Sequence, residues 1–224
     1  MLPYLPAEVP PRRGAALRLA DRARALSDTV QADTLDACGG LSSSLDCGPF
    51  ALEVQATCET ARACLAARLA SVPTPTAHVI GGRCEASVGL SVACTTECAG
   101  DAPCQKMCQA AVELDSFCLL PKIVPAVADS TGKAVAAWLP PLDVLDRHRG
   151  PLARAALDGP TTAALAELTG DDVCSAAARR DLLDARSRVG RNVDAAAGVV
   201  AAARLDDAPQ PTYGHSVATR RLVE

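Results

Sequence analysis

The sequence predicts a mainly α protein, a disulfide-stapled set of helical hairpins with additional Ala-rich helices and extended termini. Three observations predict it. Eleven cysteines stand among 224 residues. Alanine, the strongest helix former, is the commonest residue. Only Tyr4, Phe50, Phe117, Trp138 and Tyr213 are aromatic, so the rings that usually anchor a core are scarce. Ala-rich helices pack closely but bury little area per residue, which leaves cross-links to supply stability.

In chain order, residues 1–14 are punctuated by proline and read as an extended segment. Residues 15–70 read as helical. From Ala15 to Ala37 the apolar Leu17, Leu19, Leu26, Val30 and Leu35 fall near one side, and Cys38-Gly39-Gly40 is expected to end the helix, as glycine after a last turn does. Pro49 is placed to open a second helix, Phe50–Ala70. Residues 71–83, with two prolines and two glycines, read as a linker. Residues 84–120 hold the densest cysteine cluster. In 121–170, Pro121, Pro125, Pro140, Pro141, Pro151 and Pro160 are expected to cut the chain into short helices such as 133–139 and 161–169. Asp171 and Asp172 sit where helix caps belong, opening a long amphipathic helix over 171–205 with Leu182, Val189, Val193, Ala196 and Val200 as its apolar stripe. Arg179, Arg180, Arg188 and Arg191 line the other side, read as a solvated face with a docking surface as the alternative. Residues 206–224 read as a polar tail.

Cys84, Cys94, Cys98, Cys104, Cys108 and Cys118 are separated by 9, 3, 5, 3 and 9 residues. This palindrome suits a chain folded back at Asp101. It favours the nested pairing Cys84–Cys118, Cys94–Cys108 and Cys98–Cys104 among the 15 connectivities that six cysteines allow. A helical hairpin satisfies the nesting, because Cys94 and Cys98, and Cys104 and Cys108, lie one turn apart. A β-hairpin satisfies it too, since the first arm alternates strictly from Cys84 to Cys94. The second arm, with Cys104, Met107, Cys108, Ala111 and Cys118, suits a helix better, and helices are the favoured reading. Zinc is the competing chemistry for these thiols, but a five-residue gap between the inner cysteines is tight for a structural zinc site.

Eleven cysteines argue for an oxidising compartment. The start, MLPYLPAEVPPRRGAALRLADRARAL, lacks the uninterrupted apolar core of a secretory signal. The expectation is either a signal already removed or another route into an oxidising space. No stretch reaches the 18 apolar residues of a membrane span. A net charge of −4 without a basic tract speaks against nucleic acid. No catalytic residue, cofactor, metal or small-molecule substrate is expected. His78, His148 and His215 lie far apart, and His148 between two arginines reads as a surface residue. The run ending Gly132-Lys133 fails as a phosphate loop, with Val127 at the first required glycine and Ala134 at the required Ser/Thr. Asp171-Asp172 is better read as a helix start than as an acid/base pair. Asn192-Val193-Asp194 is no glycosylation acceptor, and no C-x-x-C redox pair is present.

Cys84-x9-Cys94 and Cys108-x9-Cys118 resemble the twin C-x9-C motifs of the coiled-coil-helix-coiled-coil-helix proteins of the mitochondrial intermembrane space. The resemblance implies bonds from first cysteine to last and second to third, import without a cleaved presequence, and oxidation on arrival. It further implies a non-catalytic accessory subunit of a respiratory-chain complex, possible membership of complex I included. Such a subunit sits peripheral to the inner membrane, with protein subunits of the larger assembly as its partners. Cys38, Cys47, Cys58 and Cys64 resemble a degraded first module, with Cys38–Cys64 and Cys47–Cys58 as the expected pairs. Cys174 is then left over. A second stretch, GGRCEASVGLSVACTTEC, is similar to Cys- and Ala-rich secreted proteins of myxobacteria. That likeness implies a secreted structural or surface protein instead.

Overall fold

The computed structural model describes residues 9–48, 51–70, 77–80, 83–85, 88–114, 117–119, 122–125, 135–148, 151–203 and 205–206. It is a disulfide-stapled helical protein. Its helices are α1 (Pro11–Ser44), α2 (Val54–Leu69), α3 (Val88–Glu97), α4 (Ala102–Leu114), α5 (Leu139–His148), α6 (Pro151–Glu167) and α7 (Val173–Ala202). Short strands β1 (Ala77–Ile80), β2 (Arg83–Glu85), β3 (Phe117–Leu119), β4 (Lys122–Pro125) and β5 (Leu205–Asp206) complete it.

The two longest helices carry the rest. Within the buried face of α1 runs a 3–4 repeat of small residues: Ala16, Ala20, Ala23, Ser27, Val30, Thr34, Ala37 and Leu41. In α7 the matching repeat is Ser175, Leu182, Ala185, Val189, Asn192, Ala196, Val199 and Ala203. Such a repeat keeps one seam facing a partner helix. Polar pairs along the seam rise in step on both helices: Arg13 with Asp172 and Ser175, Arg24 with Asp181, and Arg188 with Asp28 and Gln31. The helices are therefore parallel. The paired residues are 157 to 162 positions apart along the chain, which brings Ala23 of α1 alongside residues 180–185 of α7.

Two cores stack along this pair. One joins the N-terminal half of α1 and of α7 to α3, α4 and α6, around Leu19, Met107, Leu157, Leu168 and Leu182. The other joins their C-terminal halves to α2 and α5, around Leu41, Leu65, Leu142, Leu145 and Val199. Each short helix packs its apolar side onto the long pair, which supplies the burial that short helices need to persist.

Several expected boundaries move. Helix α1 begins at Pro11, inside the segment expected to be extended, with proline at the first helical position where it costs no hydrogen bond. It also runs through Cys38-Gly39-Gly40, where a stop was expected. Glycine costs about 1 kcal/mol in a helix interior, but Leu41 and Ser42 beyond it are fully buried and Cys38 is cross-linked. Burial outweighs propensity there. The stop comes at Asp46, in the left-handed region with φ 57°. Asp46 N–H donates to Ser43 O and Cys47 N–H to Ser42 O, which is the Schellman pattern.

Pro140 and Pro141 open α5 instead of ending a helix at 139, because first-turn positions tolerate a missing N–H. Pro160 lies inside α6, which continues to Glu167 because Leu157, Ala164 and Leu168 on both sides of it are buried. The segment read as a linker contains β1, which pairs antiparallel with β4 and parallel with β5. Helix α7 lies within the expected 171–205, starting at Val173 and ending at Ala202, and Asp172 caps it by accepting a hydrogen bond from Ser175 N–H at 3.0 Å. Leu182, Val189, Val193, Ala196 and Val200 are all buried. Residues 1–8 and 207–224, the outer parts of the expected extended segment and tail, lie outside the described residues.

Candidate functional site

The cysteine framework is where sequence and structure concentrate their chemistry. Helices α3 and α4 form a hairpin, and one-turn spacing presents Cys94 and Cys98 on one face, opposite Cys104 and Cys108. The disulfides Cys94–Cys108 and Cys98–Cys104 close it, each with Cα atoms 5.5 Å apart. The palindrome's centre is the turn itself. Gly100 takes φ 81°, and Asp101 caps α4 by accepting from Cys104 N–H at 3.2 Å. The hydrogen bond from Arg12, and then that from Cys104 N–H, hold the Asp101 carboxyl below the usual carboxylate range. Asp101 in return raises the Arg12 guanidinium. Arg18 fastens the other side of the tip to Glu97. The hairpin is thus pinned along the N-terminal half of α1.

At its base the hairpin changes character. Strands β2 and β3 pair antiparallel, with the Cα of Cys84 registered opposite that of Cys118. The side chains of both lie outside the described ones. Helix and strand readings of the arms each hold for part of the chain: helix near the tip, strand at the base.

The second staple overturns the expected pairing. Cys38 bonds Cys58 and Cys47 bonds Cys64, with Cα separations of 4.9 and 6.2 Å. Nesting Cys38–Cys64 around Cys47–Cys58 requires α2 to fold back antiparallel to α1. Instead α2 starts beside the middle of α1 and runs the same way. Cys58 lies against Thr34 O, and Arg68 donates to Leu45 O at 2.9 Å. A parallel neighbour joins first to third and second to fourth.

The eight sulfurs of these bonds are no longer thiolates, which removes the zinc alternative at Cys94, Cys98, Cys104 and Cys108. Among the described residues no three His, Cys, Asp or Glu side chains cluster as a metal site. Cys174 is a free, exposed thiol. His78 and His148 lie on β1 and at the end of α5, with side chains outside the described ones, while His215 and Gly132-Lys133 lie outside the described residues.

Two of the four arginines read as a solvated face serve the chain itself. Arg179 donates to Leu168 O beyond the end of α6, and Arg188 bridges to Asp28 and Asp184. Arg180 is 79% exposed, and Arg191 donates to Ser187 Oγ on its own helix. Beside these lie two shallow grooves flanking α7. One of about 460 Å³ lies against Leu157, Asp158, Leu183 and Arg186, and one of about 380 Å³ against Gln55, Glu59, Arg62 and Gly198.

Reading for large apolar side chains found Leu182, Val189 and Ala196 on the α7 side of the α1–α7 seam and Val30 on the α1 side, but missed the buried alanines of α1. The seam's 3–4 repeat, in which alanines alternate with larger apolar residues and with the polar Ser27, Thr34 and Asn192, was visible in the sequence to a search for small residues. These three are buried, and Ser27 Oγ, Thr34 Oγ1 and Asn192 Nδ2 have no hydrogen-bond partner among the described residues. Asn192 Oδ1 accepts from Gln55 at 3.3 Å. No protein-family model matches the chain, nor does any curated protein or solved structure.

Proposed function

We propose that the chain is a non-catalytic structural protein of an oxidising compartment, bracing a larger assembly through its helical faces. One observation carries the reading: among the described residues two disulfides fasten α2 to α1 and its C-terminal exit, two more close the α3–α4 hairpin, and these short helices pack on a continuous helix pair of 34 and 30 residues. At 1.5 Å per residue these helices are about 50 and 45 Å long. A cross-linked rod of that length keeps distant surfaces at fixed separation, which is the physical requirement of a brace.

The finer form is an accessory subunit of a respiratory-chain complex, peripheral to the inner membrane on the intermembrane-space side. It is supported by the Cys94–Cys108 bond between the two C-x9-C arms and by the register of Cys84 against Cys118. No helix among the described residues is long and apolar enough to cross a membrane, so attachment in this form runs through protein partners. A secreted structural or surface protein is the second reading. It is favoured by the placement of Cys84 and Cys118 on strands, where the coiled-coil-helix-coiled-coil-helix pattern implies helix.

Fractionation of cells producing the native chain separates the two. Comigration with a respiratory complex on native gels supports the first, and recovery of oxidised protein from the medium supports the second. Recovery of a fully reduced monomer from the cytosol contradicts both.

A further inference from the structure

The described disulfides differ in what a solvent-borne thiol can reach. Cys38, Cys58, Cys94, Cys98, Cys104 and Cys108 are all between 0 and 5% exposed. Cys47 and Cys64 are only half-buried. Cys47 also lies beyond the regular end of α1, while Cys64 sits within α2. Asp46 at φ 57° and Gly48 at φ 84° flank Cys47, and Leu52 further along the same connection is 90% exposed.

The two bonds on α2 hold different ends of it. Cys38–Cys58 joins the N-terminal half of α2 to the buried side of α1. Cys47–Cys64 joins its C-terminal half to the segment leaving α1, assisted by the Arg68–Leu45 hydrogen bond across the same joint. We propose that Cys47–Cys64 is a thiol-accessible latch on the C-terminal half of α2, and that Cys38–Cys58 is the pivot that stays closed when the latch opens.

The chemistry is exchange with a dithiol reductant. One reductant thiolate attacks the sulfur of Cys47 or Cys64, the protein S–S bond breaks, and the other cysteine leaves as a thiolate. The second reductant thiol then resolves the mixed disulfide. Two electrons pass to the protein pair, giving two cysteine thiols and an oxidised cyclic reductant. Exchange rate follows access to the attacked sulfur, and access distinguishes this pair from the three buried ones. Leu65 and Leu69, fully buried in the second core, keep the opened half attached. Opening therefore loosens residues 64–70 without unfolding the chain, and it makes two neighbouring thiols available to a thiol-bearing partner.

The test treats the purified, oxidised protein with limiting dithiothreitol, quenches with an alkylating reagent and maps the labelled peptides. Hydrogen exchange is followed on the same samples. The expected result is alkylation of Cys47 and Cys64 at least about tenfold faster than of Cys38, Cys58, Cys94, Cys98, Cys104 or Cys108. Faster exchange over 65–70 with unchanged protection over 54–61 is expected alongside. The double variant Cys47→Ser/Cys64→Ser should keep the helical circular-dichroism spectrum and show the same loosened exchange without reductant. Reduction of Cys38–Cys58 or either hairpin bond at an equal or greater rate overturns the proposal. So does all-or-none reduction of every bond, or exchange over 65–70 that opening leaves unchanged.

Discussion

Ala185→Leu addresses the parallel seam directly. Ala185 is fully buried in α7, and Ala23, equally buried in the stretch of α1 that runs alongside, belongs to the same core. Ala185 has no exposed surface among the packed residues of the first core, so an isobutyl group there must displace its neighbours. Overpacking of this kind costs about 1–3 kcal/mol. For a chain of this size each kcal/mol lowers the melting temperature by about 2–4 °C, so the variant should melt roughly 2–12 °C below wild type. Ala201→Leu, on an exposed position of the same helix, should change stability by no more than about 0.5 kcal/mol. Adding Ala23→Gly to Ala185→Leu should cost less than the sum of the two single changes, because residues that share a packed core couple. Thermal melts by circular dichroism measure the wild type, the three single variants and the double variant. An Ala185→Leu melt at or above wild type, or one matching the Ala201→Leu control, would refute close packing of α1 on α7.

Other perturbations test other parts of the account. Thr34→Val replaces a buried hydroxyl that has no partner with a methyl of similar shape. It should raise stability by about 1 kcal/mol, and a lower melting temperature would contradict the unpartnered seam. Removing Cys98–Cys104, whose cysteines are 6 residues apart, should cost about 2 kcal/mol in the chain-entropy model, and removing Cys38–Cys58, 20 apart, about 3 kcal/mol. A reversed order in chemical denaturation would show that strain or residual structure dominates. Ser175 N–H, and then the Ser175 hydroxyl and Arg13, hold the Asp172 carboxyl below its ordinary value. A depressed carboxylate stabilises above its unfolded pKa of about 4, and the contribution is lost as pH falls through the folded value. Asp172→Asn keeps a capping oxygen but no charge. Its melting deficit should therefore be constant above about pH 5 and shrink towards zero in more acid solution; a deficit independent of pH would show that the charge is irrelevant.

The features legible in the sequence were those specified locally. Helix α7 announced itself through the Asp172 cap and a stripe of Leu and Val at helical spacing. The hairpin tip announced itself through palindromic cysteines about Asp101, and Cys94–Cys108 and Cys98–Cys104 followed. The features that escaped were decided by partners distant in sequence. Gly39-Gly40 reads as a stop unless Leu41 and Ser42 are known to be buried beyond it. Pro160 reads as a break unless α6 is known to pack on α7 on both sides of it. The pairing of Cys38, Cys47, Cys58 and Cys64 depended on whether α2 runs with α1 or against it, and spacings of 8, 10 and 5 carry no sign of direction. Small residues also conceal a packed face from any search weighted by hydrophobicity, which is why the stripe of α1 was sought at Leu17, Leu19, Leu26, Val30 and Leu35. Leu19 and Val30 are fully buried in the first core, but Leu17, Leu26 and Leu35 only flank the cores, and the buried Ala16, Ala20 and Ala23 escaped that search.

Peptide mapping of the protein digested without reduction tests the cross-linked framework most directly. The account predicts Cys38–Cys58, Cys47–Cys64, Cys94–Cys108 and Cys98–Cys104 as linked peptides, with Cys174 recovered as an alkylated thiol. Recovery of Cys38–Cys64 with Cys47–Cys58 would contradict the parallel placement of α2. Recovery of Cys94 joined to Cys104 would contradict the hairpin on which the fold's first core is built.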